Sequence, residues 1–255
     1  MKVIAISDTH NRHKHLTSKG LGDTLPEGDL LIHAGDLTGQ GLKGEVQDIF
    51  KWFKEVADRY TYGVVFIAGN HDRAFDPKFN VESDTEKPLW LQEALGSLPL
   101  GVQYLENESV TIDGFKIWGS PITPWFYGDR WAFNRRRGFD IAEVWDQIPI
   151  DVDVIVTHGP VYGKLDYTSY DKLYVGCEDL RYKVKALKPK IHISGHIHEA
   201  YGMDYDEDTT YYNASICTLG YEPNNRPHII ELSRPEEDRI DPIVEHQKFR
   251  SPHKH

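Results

Sequence analysis

Cysteine is scarce in this 255-residue sequence, with only Cys177 and Cys217. Two thiols are too few for the disulfide-stapled scaffold of a small secreted domain, and a reducing compartment, the cytoplasm, is the expectation. Basic residues are outnumbered: 29 lysines and arginines face 40 aspartates and glutamates, for a formal charge of −11. A mean field of that sign repels polyanions, which argues against extended nucleic acid or an anionic membrane as partner. It does not exclude a small anion drawn to a locally positive site. Long hydrophobic runs are missing too. The apolar stretch within "MKVIAISDTH" is too short for a signal peptide or a membrane span and reads as a first buried strand. No repeat or low-complexity tract occurs, and 39% hydrophobic with 27% charged residues is an ordinary globular composition with material for one large domain.

What is present is a set of short apolar, β-branched runs: "KVIAIS" from Lys2, "DLLIHAG" from Asp29, "VVFIAGN" from Val64, "VDVIVTHG" from Val152 and "IHISG" from Ile191. Such runs read as buried strands, and each stops at a polar cluster. If the strands share a sheet, their ends gather all five clusters on one side, where open α/β folds place ligands. Between them, Val46, Ile49, Phe50, Phe53, Val56, Ala57 and Tyr60 recur three and four apart, one apolar helical face to cover the sheet. Leu180, Val184 and Leu187 repeat the pattern up to Pro189, and a shorter helix is expected over Pro88 to Leu95. "VTIDGFKIWGS", "TYYNASIC" and "RPHIIELS" read as further strands, suggesting a second sheet packed on the first. The expected domain covers 1–233; 234–255, charged and proline-containing, is expected as a loosely packed arm.

The clusters supply oxygen and nitrogen donors. Asp8 and His10 are two apart, so in extended backbone they share a face; Asp36 follows a glycine where a carboxylate is costly to bury without a positive partner. Asn70 and His71 lie in "GNHD", His158 in "THGP", His196 and His198 in "GHIH". Taken singly, Asp8 or Asn70 reads equally as a cap or turn residue. Together the set offers donors enough for two metals.

In their order, Asp-x-His, Gly-Asp, Gly-Asn-His-Asp, His-Gly and Gly-His-x-His resemble the calcineurin-like metallophosphoesterase superfamily. Within it, "LLIHAGDLT", "GSPITPWFYGDRWAFNRRRG" and "LKPKIHISGHIHEAYG" resemble the metallophosphoesterase-domain (MPPED, or 239AB) group of phosphodiesterases. The resemblance implies an α/β sandwich of two central sheets flanked by helices, with the metal site at the C-terminal ends of strands. It implies two divalent ions (manganese, iron or zinc), one held by Asp8, His10, Asp36 and His198, the other by Asp36, Asn70, His158 and His196. It further implies attack by a bridging hydroxide on a small phosphoester, a cyclic nucleotide by this likeness, with His71 assisting the leaving group or holding the non-bridging oxygens; Asp72, next in sequence, reads either as orienting His71 or as a turn residue that binds backbone amides. A phosphomonoesterase or protein phosphatase is the rival within enzymes. A nuclease fits the charge poorly, and a non-catalytic scaffold of the same fold would tend to lose ligands that are all present here.

The aromatic stretch "PWFYGDRWAFNRRRG" has two readings. One is a loop packed over the sheets with solvated arginines; the other is a substrate wall, with Trp125, Tyr127, Trp131, Asn134 and Arg135 in contact with the phosphoester.

Overall fold

The computed structural model describes residues 1–18 and 24–233. The charged arm expected over 234–255 lies outside the described residues. One sheet contains β1 (Lys2–Ile6), β2 (Leu30–Ala34), β3 (Val64–Ile67) and β4 (Val102–Tyr104), parallel and adjacent in that order. The other contains β5 (Glu108–Ile112), β6 (Phe115–Ser120), β9 (Val154–Thr157), β12 (Ile191–Ser194), β13 (Gly202–Tyr205) and β14 (Thr210–Asn213), in the order β13-β14-β12-β9-β6-β5. Its four central strands are parallel and its two edges antiparallel. Two short ladders, β7 (Thr123–Pro124) with β8 (Asn134–Arg135) and β10 (Tyr167–Thr168) with β11 (Leu173–Tyr174), shape the loops above. β15 (His228–Glu231) runs antiparallel on the outer side of β1.

Strand alternation explains the layering. Val3, Ala5, Leu30, Ile32, Val65 and Ile67 of the first sheet pack against Ile117, Val154, Val156, Ile191 and Ile193 of the second. The intervening residues point outward: Ile4, Ile6, Leu31 and Phe66 meet Val46, Ile49, Trp52 and Phe53 of α1 (Lys43–Ala57). On the far side Trp118 and Ile155 join Ile141 and Trp145 of α3 (Phe139–Trp145) and Leu180 and Val184 of α4 (Glu178–Leu187). Strands buried on both faces must be apolar throughout, which is why the runs are continuous rather than alternating. α2 (Leu89–Gly96) buries only Leu91.

The five runs do not share a sheet. Three end the first and two the second, because one face of each sheet covers the other and leaves only the outer face for helices. "RPHIIELS" adds to the first sheet rather than the second. No helix among the described residues is long and apolar enough to cross a membrane.

Phe53 is the packing hub of α1, fully buried with its ring centroid 4.9 Å from that of Phe66. Phe53→Ala should cost about 3–5 kcal/mol in urea unfolding, with the slope unchanged. A loss below about 1 kcal/mol would mean that α1 is not anchored there.

Candidate metal centre

Every polar cluster sits just past the C-terminal end of its strand: Asp8 and His10 after β1, Asp36 after β2, Asn70 and His71 after β3, His158 after β9, His196 and His198 after β12. The sandwich brings these five ends together. Donor atoms of Asp8, His10 and His198 lie within 4.8 Å of one another, as do those of Asp8, Asp36 and His158, and those of His10, Asp36 and His71. Asp36 Oδ1 is 3.3 Å from His158 Nε2 and Asp36 Oδ2 is 3.6 Å from His10 Nε2, so this one carboxylate faces both halves of the cluster. Asn70 Oδ1 is 3.0 Å from His158 Nε2, and the His196 ring centroid is 5.1 Å from that of His158.

The backbone bends sharply to achieve this. Asp8, His10, Asp36 and His196 have φ of 51°, 41°, 53° and 68°, a left-handed conformation that non-glycine residues adopt at a cost of about 1–3 kcal/mol each. Such strain persists only where the surroundings hold it. Two glycines are required by close approach. A Cβ on Gly69 would lie 2.3 Å from Asp36 Oδ1, and one on Gly195 would lie 2.1 Å from both Asp8 Oδ2 and Ser7 Oγ.

Hydrogen bonds define which ring nitrogens are free. Nδ1 of His10, His71, His158 and His198 lies 3.2, 2.8, 2.9 and 3.0 Å from the carbonyl oxygens of Thr38, Gly39, Ala34 and Thr218. A carbonyl can only accept, so each Nδ1 carries the hydrogen and each neutral Nε2 presents a lone pair. His10 Nε2 and His198 Nε2 then face each other at 3.2 Å, and His158 Nε2 faces two oxygens. With the rings neutral, acceptors converge on acceptors, and positive charge is needed between them, either ring protons such as Asp36 favours on His158 or bound cations. This donor set, imidazole nitrogens with Asp and Asn oxygens whose far sides are hydrogen-bonded, fits a pair of divalent transition ions.

The electrostatics agree. Burial raises the carboxyls of Asp8 and Asp36, yet His198 and His158 beside Asp8, and His158, His71 and His10 around Asp36, hold both well below the usual range. Burial pulls His10 down to about 4 and His196 to about 3. His158, though buried, is pushed up to about 9 by Asp36, and His198 is raised by Asp8. The cluster thus gathers positive charge wherever it is supplied.

Asp72 is fully buried and accepts from the backbone N–H of Leu37 (3.0 Å), Thr38 (2.9 Å) and Gly69 (2.8 Å) and from Thr38 Oγ1 (2.7 Å). It clamps the loop after β2 to the loop after β3 and makes no hydrogen bond to His71 among the described residues. The His71 backbone N–H donates to Asp36 Oδ1 at 2.8 Å, and its ring lies 4.6 Å from His10 and 4.5 Å from Trp131.

Trp125 and Tyr127 line a cavity of about 760 Å³ that opens beside His196, together with Phe126, Tyr170 and Leu219. Trp131 packs on His71 instead. Asn134 accepts from Thr123 Oγ1 (3.0 Å) and donates to Phe126 O (3.3 Å), bracing the loop from below. Arg135 is exposed and outside the cavity lining; Arg137 is the arginine that lines it. Phe126 and Arg137 lie within the aromatic stretch singled out from the sequence but were not chosen from it, and Tyr170 and Tyr221, whose ring lies 4.8 Å from His10, were not foreseen. Tyr170 and Tyr221 stand far from the motifs in sequence; Phe126 carried a signal, sitting among the aromatics already singled out.

Gly195→Ala should push Asp8 out of place, lowering bound metal measured by elemental analysis and lowering the thermal midpoint. Wild-type values for both would contradict the 2.1 Å approach.

A family profile described as Calcineurin-like phosphoesterase matches residues 1–200. Metallophosphoesterase domain-containing protein 1 of Homo sapiens is 40% identical over 245 residues, covering 92% of this chain and 72% of the human one. UPF0046 protein K07C11.7 of Caenorhabditis elegans is 35% identical over 237 residues, covering 92% and 76%. Among solved structures, the phosphopantetheinyl hydrolase PptH of Mycobacterium tuberculosis superposes with a TM-score of 0.53 at 14% identity, covering 90% of this chain and 95% of that one, a likeness of fold alone. With the converging donor set of a dinuclear, metal-dependent phosphoesterase in place, the chain belongs to the calcineurin-like metallophosphoesterase family.

Proposed function

We propose that the chain hydrolyses small phosphodiesters, cyclic nucleotides among them. One ion would be held by Asp8, His10, Asp36 and His198, the other by Asp36, Asn70, His158 and His196. Two manganese, iron or zinc ions bound there would supply Lewis acidity, for activation of water and for the charge on the phosphoryl oxygens. The residues of the chain do the rest. Asp36 spaces the halves, while Asp8, held by the backbone N–H of His196 at 3.0 Å and by Ser215 Oγ at 2.8 Å, fixes the first half rigidly. His71 keeps the Nδ1 hydrogen on Gly39 O and, when its ring carries a second proton at Nε2, gives that proton to the leaving oxygen and is left neutral. Asp72 acts on His71 only through the loops it joins. Both cysteines are free and buried, which suits a cytoplasmic, reducing setting for the activity.

The observation that carries the diester reading is the aromatic-walled cavity adjoining the donor cluster. A diester bears one negative charge and two organic arms, so it needs space beside phosphorus and gains from aromatic walls. A monoester dianion would gain from free cations, and Arg137, the one arginine on the wall, is engaged by Glu178.

Asp36→Asn should lose both ions together, seen as metal content, whereas His196→Ala or Asn70→Ala should empty one site first. Retention of both ions by Asp36→Asn would remove its bridging role.

His71→Ala should keep metal yet slow esters with poor leaving groups by about 10²-fold or more, with a smaller loss on p-nitrophenyl esters. Equal losses across the series would assign His71 to phosphoryl-oxygen stabilisation instead.

The substrate class is tested with manganese-loaded protein by comparing kcat/KM for bis(p-nitrophenyl) phosphate, p-nitrophenyl phosphate and 2',3'- and 3',5'-cyclic nucleotides. The diester should exceed the monoester, and Trp125→Ala or Tyr127→Ala should weaken cyclic nucleotide use more than aryl ester use. Faster monoester cleavage with inert cyclic nucleotides would make the enzyme a phosphomonoesterase.

A further inference from the structure

The walls and the charges of the cavity beside His196 point the same way. Trp125, Phe126, Tyr127 and Tyr170 line it, with the Phe126 and Tyr127 rings meeting edge to face at 6.1 Å and 81°. Two carboxylates, Asp171 and Glu199, share the lining. Each is met by neutral donors. Asp171 accepts from Tyr127 Oη at 2.7 Å, and Glu199 accepts from the backbone N–H and the hydroxyl of Ser169 at 2.9 and 3.2 Å. Neither pairs with a cation among the described residues. The arginine on the lining does not offset them: the Arg137 guanidinium is bound to Glu178 and donates to Gly176 O and Val175 O at 2.7 Å each. The cavity is therefore aromatic, net negative and adjacent to a centre that attracts an anion.

We infer that this cavity selects phosphodiesters whose second organic arm ends in a quaternary ammonium, of the phosphocholine type. The inference rests on the diesterase reading of the same centre. A phosphodiester of this kind is a zwitterion, and the surface here is its complement, with positive charge drawn to the donor cluster and negative charge beyond His196. A quaternary ammonium has no N–H to satisfy, so ring faces and nearby carboxylates suffice to hold it. A primary ammonium would need hydrogen-bond acceptors on three sides. An arm bearing further phosphates would meet Asp171 and Glu199 unfavourably.

The test compares kcat/KM for p-nitrophenyl phosphorylcholine with that for p-nitrophenyl 3,3-dimethylbutyl phosphate, which has the same shape and leaving group without the charge. The charged ester should be preferred by about tenfold or more, the range of a partly desolvated cation over aromatic faces. The ratio should fall towards one in the Asp171→Asn/Glu199→Gln double variant. Calorimetric titration with tetramethylammonium, independent of turnover, should show binding to the wild-type protein and loss of it in the double variant. Equal kcat/KM for the two esters, or no tetramethylammonium binding, would overturn the inference. A preference that survived in the double variant would overturn the role of the carboxylates. Failure of the diesterase reading looks different: neither diester is cleaved while p-nitrophenyl phosphate is.

Discussion

The structure turns on the meeting of lone pairs where the two sheets end. Two buried carboxylates and the Nε2 atoms of His10, His71, His158 and His198 converge, while each Nδ1 is spent on a backbone carbonyl. Left without positive charge, this arrangement would be among the costliest that a protein interior can hold. Around it the chain accepts left-handed backbone at Asp8, His10, Asp36 and His196, and glycines where any side chain would strike a carboxylate. The apolar sandwich beneath, with inner and outer faces both filled, is what holds those residues against their own preferences. Binding of cations is thus coupled to folding, because the same ions that serve chemistry relieve the repulsion that the fold creates.

Much of this was legible from strand-end chemistry. The apolar runs stop where the donors begin, and that boundary is visible in any one of them: "VVFIAGN" goes from buried β3 to Asn70 in three residues. α1 was legible from its spacing, since a sheet face needs a matching helical stripe. Which sheet each run joins was not, since strands covered on both sides look alike whatever lies above them. β12 reads no differently from β2, yet they end on opposite layers. α3 was also missed. Its seven residues hold only Ile141, Val144 and Trp145 as buried anchors, too short a stretch for a helical period to stand out.

Within the site, residue type was legible and partnership was not. Of the two readings open for Asp72, orienting His71 or binding turn amides, the packing takes the second: its carboxylate accepts from four donors on two loops. Asn134 and Arg135 likewise have the right chemistry for substrate contact. One is spent inside its own loop and the other is exposed and outside the cavity lining, while Arg137, two residues on, is part of it. Sequence lists the donors; only the packing shows which are already committed.

The aromatic segment links the two sides of the centre. The His71 ring lies tilted against Trp131 at 4.5 Å, Trp131 lies nearly parallel to Phe126 at 6.2 Å, and Phe126 meets the His196 ring at 4.8 Å. This row runs from the histidine proposed to serve the leaving oxygen to one proposed to hold an ion, with the cavity opening along the Phe126 side. Rings packed in this way resist displacement singly, because each is bounded by two neighbours in van der Waals contact. A substrate arm seated in this cavity, as proposed above, would meet Phe126, which bounds His196 directly and His71 through Trp131. On the proposed reading, binding of the remote arm and alignment of the reacting groups would share one set of contacts, the condition under which energy from a non-reacting part of a substrate is expressed in kcat rather than in KM alone.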